Sequence, residues 1–183
     1  MPRSRGWLLH SLPSLLLVLG GLACKAHSGE LTMPRTPREE AAKLAETTRY
    51  LIESVDSIGL LDLVDAQGVR CLDGHVSLEA LRTEFADRKG VYYSLLFDTA
   101  HLRERLMGDE PRRLPEAAVS YRDFFRISPK AKVEMAWAGD GQSGSFYWKR
   151  NPDAIEVHSP IFQWRWDARQ RKALIVSIGC WMG

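Results

Sequence analysis

Cysteine is scarce in this chain and neither sign of charge is in excess. Three cysteines in 183 residues are too few for a disulfide-dense scaffold. No two of them form the C-x-x-C pair that holds zinc or carries redox exchange. The formal charge of +2 resides in Arg3 and Arg5; from residue 24 onward 23 basic side chains meet 23 acidic ones. A net charge of zero exerts no overall pull toward nucleic acid. Long apolar runs are confined to the first 24 residues, which excludes a polytopic membrane protein. There is no Walker loop, no H-E-x-x-H helix and no G-x-S-x-G elbow, so three common routes to hydrolysis and phosphoryl chemistry lack their residues. No cofactor or metal is expected.

What is present begins with an address. Arg3 and Arg5 form a basic start, and Leu12, Leu15, Leu16, Leu17, Val18 and Leu19 an apolar run. Gly20, Gly21 and Ala23 supply the small residues a signal peptidase requires. The run from Trp7 to Ala23 is interrupted by His10 and Pro13 and falls short of the roughly 20 apolar residues of a spanning helix. The alternative is an uncleaved anchor. The segment ends Leu22-Ala23-Cys24. This ending resembles the lipobox of bacterial lipoprotein precursors, with Gly21 where the consensus has leucine. The resemblance covers residues 1–24 alone. It implies that residues 1–23 are removed, that Cys24 is acylated, and that the chain is held at a membrane by its N-terminal lipid. Lys25, in place of the Asp that retains such proteins at the inner membrane, implies an outer-membrane or surface destination. Without the lipobox, Ala23 becomes a plain cleavage site and the product a free secreted protein.

An acylated Cys24 leaves Cys71 and Cys180, an even number in a compartment where disulfides persist. A disulfide between them is one expectation; two separate buried thiols are the other. Residues 24–35 lack periodicity, contain Gly29 and Pro34, and read as a tether of at most about 40 Å, at roughly 3.3–3.6 Å per residue.

From residue 36 to 183 a single domain is expected. Thr36, Pro37 and Glu39 form a capping box with proline at the first helical position, and Leu44, Thr48, Leu51, Val55 and Ile58 recur at helical spacing, with Gly59 as the stop. Val69 to Leu72 reads as a short strand. Asp73-Gly74-His75 superficially resembles part of an EF-hand loop, but alignment on Gly74 puts Val69, Cys71 and Ala80 at ligand positions one, three and twelve, so no calcium site is expected. Ser77 caps a helix bearing Leu81 and Phe85 that Gly90 ends. The run VYYSLLF, residues 91–97, reads as helix or hinge. Asp98 caps a helix with Leu102 and Leu106, and residues 108–116 form a proline-punctuated loop.

From about Tyr121 the pattern changes to strands. Val133, Met135 and Trp137 alternate with Glu134 and Ala136; GDGQSG, residues 139–144, turns the chain into Phe146 and Trp148. Residues 155–158 read as extended. Phe162, Trp164 and Trp166 then alternate with Gln163 and Arg165, and in the last strand Leu174, Val176, Ile178 and Cys180 share a side. The expectation is an α+β domain with N-terminal helices packed on a curved antiparallel sheet of four or five strands. In element order this resembles the cone-shaped SnoaL-like and cystatin-like architectures, which host enzymes and binding modules alike.

Five of the six tryptophans fall in the last 47 residues. Trp137, Trp148, Trp164 and Trp166 are the candidate ligand-binding residues, able to stack on a sugar or cradle an apolar ligand. The opposing reading makes the same rings core, facing Leu44, Leu51, Val55, Leu81 and Phe85. For acid–base chemistry the candidates are His158, Glu134 and Asp123 projecting into a cone; otherwise they are polar groups on a wet face. Metal ligation by His75 with Asp73 competes with a plain surface turn. Two functions follow: an envelope lipoprotein whose non-catalytic domain binds an envelope protein or an apolar or sugar ligand, or a small pocket enzyme of the cone class. A cavity enclosed by the concave sheet face, with buried polar groups converging on it, would favour the second; a filled, dry core would favour the first.

Overall fold

A computed structural model describes residues 36–70, 74–106, 119–150 and 159–179. Helix α1 (Pro37–Ser54) starts as its sequence requires. Thr36 Oγ1 accepts from the Glu39 amide at 3.3 Å, and Glu39 Oε2 accepts from the Thr36 amide at 2.8 Å, satisfying two donors the first turn leaves open. Its buried face includes Leu44, Thr48, Leu51 and Ile52. The helix stops at Val55 (φ 59°) and not at Gly59. Asp56 captures the Gly59 amide through Oδ1 at 2.8 Å and starts a new short helix, α2 (Ser57–Leu61). The periodic stripe therefore breaks, and Ile58 stands 75% exposed.

Strands β1 (Val69–Arg70) and β2 (His75–Val76) form a small hairpin ahead of α3 (Leu78–Ala86), which Ser77 caps. Helices α4 (Val91–Phe97) and α5 (Thr99–Leu106) follow, the second capped by Asp98. Residues 121–127, read above as the start of strand texture, form helix α6 (Tyr121–Ile127). Ser120 Oγ accepts from the Asp123 amide at 3.3 Å, and Tyr121, Phe124 and Phe125 bury one helical face. Strands β3 (Lys132–Trp137), β4 (Ser143–Lys149), β5 (Ile161–Asp167) and β6 (Lys172–Ile178) make an antiparallel meander.

The class is α+β, but the sheet has six strands, in the order β2-β1-β6-β5-β4-β3. It is mixed, because β1 adds parallel to β6 with Arg70 opposite Ser177. The four or five antiparallel strands expected from sequence omit this junction: the two-residue β1 carries too little periodicity to announce its partner. Val64 also bridges Ile175 in parallel, and Asp65 donates its amide to the Ile175 carbonyl at 2.9 Å. The chain is thus stitched to β6 before β1 begins.

A bulge corrects the expected facing of β6. Gln163 pairs with Ser177, and Trp164 with Ile175, so Val176 has no opposite number on β5. Beyond it the alternation changes phase. Ala173, Ile175 and Ile178 lie opposite Trp166, Trp164 and Phe162, on the side of the aromatic rings.

That side meets the helices. Tyr121 packs on Phe162 with ring centroids 5.6 Å apart, Phe125 on Trp148 at 5.0 Å, and the Arg38 guanidinium lies over Trp137 at 5.1 Å. Leu44, Leu51, Leu81 and Phe85 belong to the same buried cluster as Phe146, Phe162 and Trp164, with Val55 at its margin. Gly144 is fixed by close approach: a Cβ there would come within 2.2 Å of the Ala136 carbonyl oxygen and 3.2 Å of Trp164 Nε1. Among the described residues no helix is long and apolar enough to cross a membrane.

Candidate functional site

Because side chains alternate along a strand, the face turned away from the helices carries the residues between the aromatics. Strand register lines up a row across the sheet: Ala136, Ser145, Gln163, Ser177, Arg70 and His75. Half of these side chains are small, and the surface above them is hollow. One recess of about 280 Å³ is lined by Ala136, Ser143, Ser145, Gln163, Arg165 and Val176, with Trp137 and Trp164 also at its wall. A second, of about 470 Å³, is lined by Asp65, Gln67, Arg70 and His75 and shares Gln163, Arg165 and Val176 with the first. The shared wall makes them one trough, crossing from β3 toward β1.

The β1 end of the trough is held by a polar cluster. Arg165 Nη2 lies 2.7 Å from Asp65 Oδ2; the arginine side chain is 58% exposed and the aspartate 9%. Asp65 Oδ1 accepts from the Gln67 amide at 2.9 Å, closing an Asx turn. Gly68 completes that turn at φ +88°, where a Cβ would strike the Val76 carbonyl oxygen at 2.1 Å. His75 Nε2 sits 2.6 Å from the Gln67 carbonyl oxygen. A carbonyl only accepts, so this nitrogen carries the hydrogen. Ser177 Oγ donates to the Arg70 carbonyl at 3.0 Å. In the middle of the trough Gln163 and Ser145 are register partners.

On the same face toward β3, Glu134 Oε2 accepts from Tyr147 OH at 2.7 Å and pairs with Lys149 Nζ at 3.0 Å. The Tyr147 hydrogen bond, aided by Lys149, holds the Glu134 carboxyl below its ordinary range. The same bond to Glu134, with some desolvation, pushes the Tyr147 phenol up. Tyr121, on α6, is pushed up further by complete burial, against a smaller opposing effect of the Ile161 backbone. As pH rises past about 10, the ordinary tyrosine value, the unfolded chain releases these protons before the folded one does. Stability present below that pH is therefore lost above it. The 295 nm absorbance of the native protein is expected to show late-ionising tyrosines that Tyr121→Phe and Tyr147→Phe each diminish. A native curve complete by about pH 11 in both wild type and variants would contradict this.

The four candidate tryptophans alternate onto the other side of the sheet, although Trp137 and Trp164 also border the first recess. Trp148 and Trp164 are buried, Trp137 is sandwiched between Arg38 and Trp164, and Trp166 packs partly buried against the core. Of the acid–base candidates, Asp123 sits at the start of α6, where it accepts from Thr99 and pairs with Arg126. Glu134 is on the opposite sheet face, so the two are not brought together. His158, Asp73, Cys24, Cys71 and Cys180 lie outside the described residues. No group of three His, Cys, Asp or Glu among the described residues is arranged to hold a metal.

Residues 139–144 carry the glycine spacing G-x-G-x-x-G. They turn β3 into β4, whereas a dinucleotide loop must run from a strand into a helix whose N-terminus receives the pyrophosphate. Sequence alternation did place Gln163 and Arg165 opposite the tryptophans. What it lacked was any sign that Asp65, Gln67, Arg70 and His75, about a hundred residues earlier, would join them; that follows from the parallel β1–β6 pairing. Neither a protein-family model nor a curated protein matches this chain.

Proposed function

We propose that this chain is an envelope lipoprotein with a non-catalytic binding domain. Residues 1–23 serve as signal segment, Cys24 as lipid attachment point and residues 24–35 as tether, and the outer sheet face receives the ligand. One observation carries the choice of binding over catalysis. The space between helices and sheet, where a cone-class enzyme keeps its pocket, is occupied by Phe146, Phe162 and Trp164, and the open trough lies on the other face. The shifts at Glu134 and Tyr147 move both groups away from neutrality, opposite to the tuning a general acid or base requires.

A disulfide between Cys71 and Cys180 belongs to the same reading. Strands β1 and β6 run parallel, and in sequence Cys71 directly follows Arg70 while Cys180 directly follows Gly179. Such a bridge would close a loop of more than a hundred residues, worth up to about 4–5 kcal/mol by the chain-entropy argument. Non-reducing peptide mass spectrometry of exported protein is expected to find the linked pair; two alkylatable thiols would refute it.

Cys24→Ser is expected to abolish fatty-acid labelling in a bacterial host and to leave unprocessed precursor or released domain. One acyl chain holds a protein only marginally, and the several chains of a mature lipoprotein make attachment stable. Unchanged labelling rejects the attachment. For binding, hydrogen exchange of the full chain with and without solubilised envelope extract is decisive. Slowed exchange in β4 and β5 supports the outer face as the site. Unaltered exchange there, or slowing confined to the helices, overturns it.

A further inference from the structure

We propose that the outer-face trough recognises a carboxylate-bearing small molecule, with Arg165 as the charged anchor and Gln163 and Ser145 as the adjoining hydrogen-bond partners. The inference rests on the outer face being the binding surface.

Arg165 commits one nitrogen, Nη2, to Asp65, and a guanidinium presents five N–H donors in a fixed fork. Asp65 is itself immobilised: Oδ1 by the Gln67 amide, the backbone by the Ile175 and Gly68 bonds. The ion pair therefore acts as a strut. It holds a long, 58% exposed side chain with its remaining donors in the shared wall of the two recesses, and that order need not be established when the ligand arrives. Two residues earlier on the same face is Gln163. Its amide, like the Ser145 hydroxyl beside it, makes no hydrogen bond to any described side chain or backbone group, although both line the trough. A donor-rich anchor next to an uncommitted amide and hydroxyl fits a carboxylate followed by polar groups.

The rest of the trough narrows the class. Asp65 is the one carboxylate lining the half toward β1, and both its oxygens already accept bonds, so that half offers a cation no uncommitted carboxylate. Neutral sugars are recognised chiefly by stacking on aromatic faces. Of the two tryptophans that line the first recess, Trp164 is 1% exposed and Trp137 is covered by the Arg38 guanidinium, while Tyr147 is bonded to Glu134 and has Lys149 Nζ 5.5 Å from its ring centre. The small side chains of Ala136, Ser143 and Ser145 leave the trough open toward β3, and its volume is in the range of small-molecule sites.

The carboxylate can come from a peptide C-terminus or from a sugar acid, and calorimetric titration of the full chain separates the two. The probes are trialanine and glucuronate, their uncharged counterparts trialanine amide and glucose, and inorganic phosphate. At least one carboxylate is expected to bind, and its uncharged counterpart and phosphate to bind at least about tenfold more weakly, the scale of one charge-assisted hydrogen bond. Whichever carboxylate binds identifies the source. Arg165→Gln is expected to weaken that binding about tenfold or more and Gln163→Ala several-fold, while Arg122→Gln on α6 leaves it unchanged. No binding of either carboxylate at about 10 mM, weaker than any useful recognition, overturns the proposal. Equal binding of acid and amide, or of carboxylate and phosphate, does the same. The acid–amide comparison uses wild-type protein and depends on no variant folding. Protection of β4 and β5 by envelope extract without carboxylate binding would overturn this inference alone; loss of both would overturn the binding face as well.

Discussion

Trp164→Ala is expected to lower the free energy of unfolding by about 3–5 kcal/mol, the scale for emptying a core aromatic site. The ring is 1% exposed and meets Trp137 edge-on at 5.3 Å. It also lies against Gly144, whose missing Cβ leaves no side chain to move into the void. Trp164→Phe should cost distinctly less. Trp164 Nε1 is buried with no hydrogen-bond partner, so the smaller ring removes a dry, unsatisfied donor along with part of the volume. Urea unfolding of the two variants checks both statements. An alanine variant with the wild-type midpoint would show that this side of the sheet is a surface and would return Trp164 to the ligand-site candidates.

Phe125→Ala should be of similar size, about 3–5 kcal/mol, for a different reason. Phe125 is the pivot between α6, α1 and the sheet. Its ring is edge-on to Trp148 at 5.0 Å and to Phe124 at 5.6 Å, and the Arg49 guanidinium covers it at 5.1 Å. Arg49 is in turn bonded to the carbonyls of Pro129 and Ala131 at 2.9 and 3.2 Å. Removing the ring therefore loosens the cation that ties α1 to the start of β3. Ile127→Ala, two residues on and 54% exposed, should change stability by no more than about 0.5 kcal/mol. Comparable losses at both positions would refute this account of α6.

Where one physical signal dominated, the sequence was readable. The capping box at Thr36 and the serine cap at Ser77 both start helices where expected, because a side-chain oxygen three residues before an amide is a local fact. The alternation of Val133, Met135, Trp137, Phe146, Trp148, Phe162, Trp164 and Trp166 put the aromatics on one side, since a half-buried strand has period two. Helix α6 was missed although Ser120 and Asp123 carry the S-x-x-D start signal and residues 121, 124 and 125 have helical spacing; seven aromatic-rich residues satisfy strand preferences equally well. The facing of β6 was misread past Val176 because a bulge inserts a residue without changing composition. The trough was half visible. Gln163 and Arg165 were on the right face, but their partners come from the first half of the chain, and only tertiary pairing brings them there.

The strand order has a consequence for how this molecule comes into being. β6, the last of the described strands in the chain, lies inside the sheet between β1 and β5, and its pairing with β1 joins Arg70 to Ser177. The α1 helix also packs against it. The early helices thus emerge during synthesis without the strand that completes their core, and contacts separated by so much chain form late and slowly. Until that strand arrives, β1 and β2 have no sheet to join, and a two-stranded hairpin alone is marginal. Such a chain leaves its sheet open until β6 has been made, and the closing step joins residues more than a hundred positions apart.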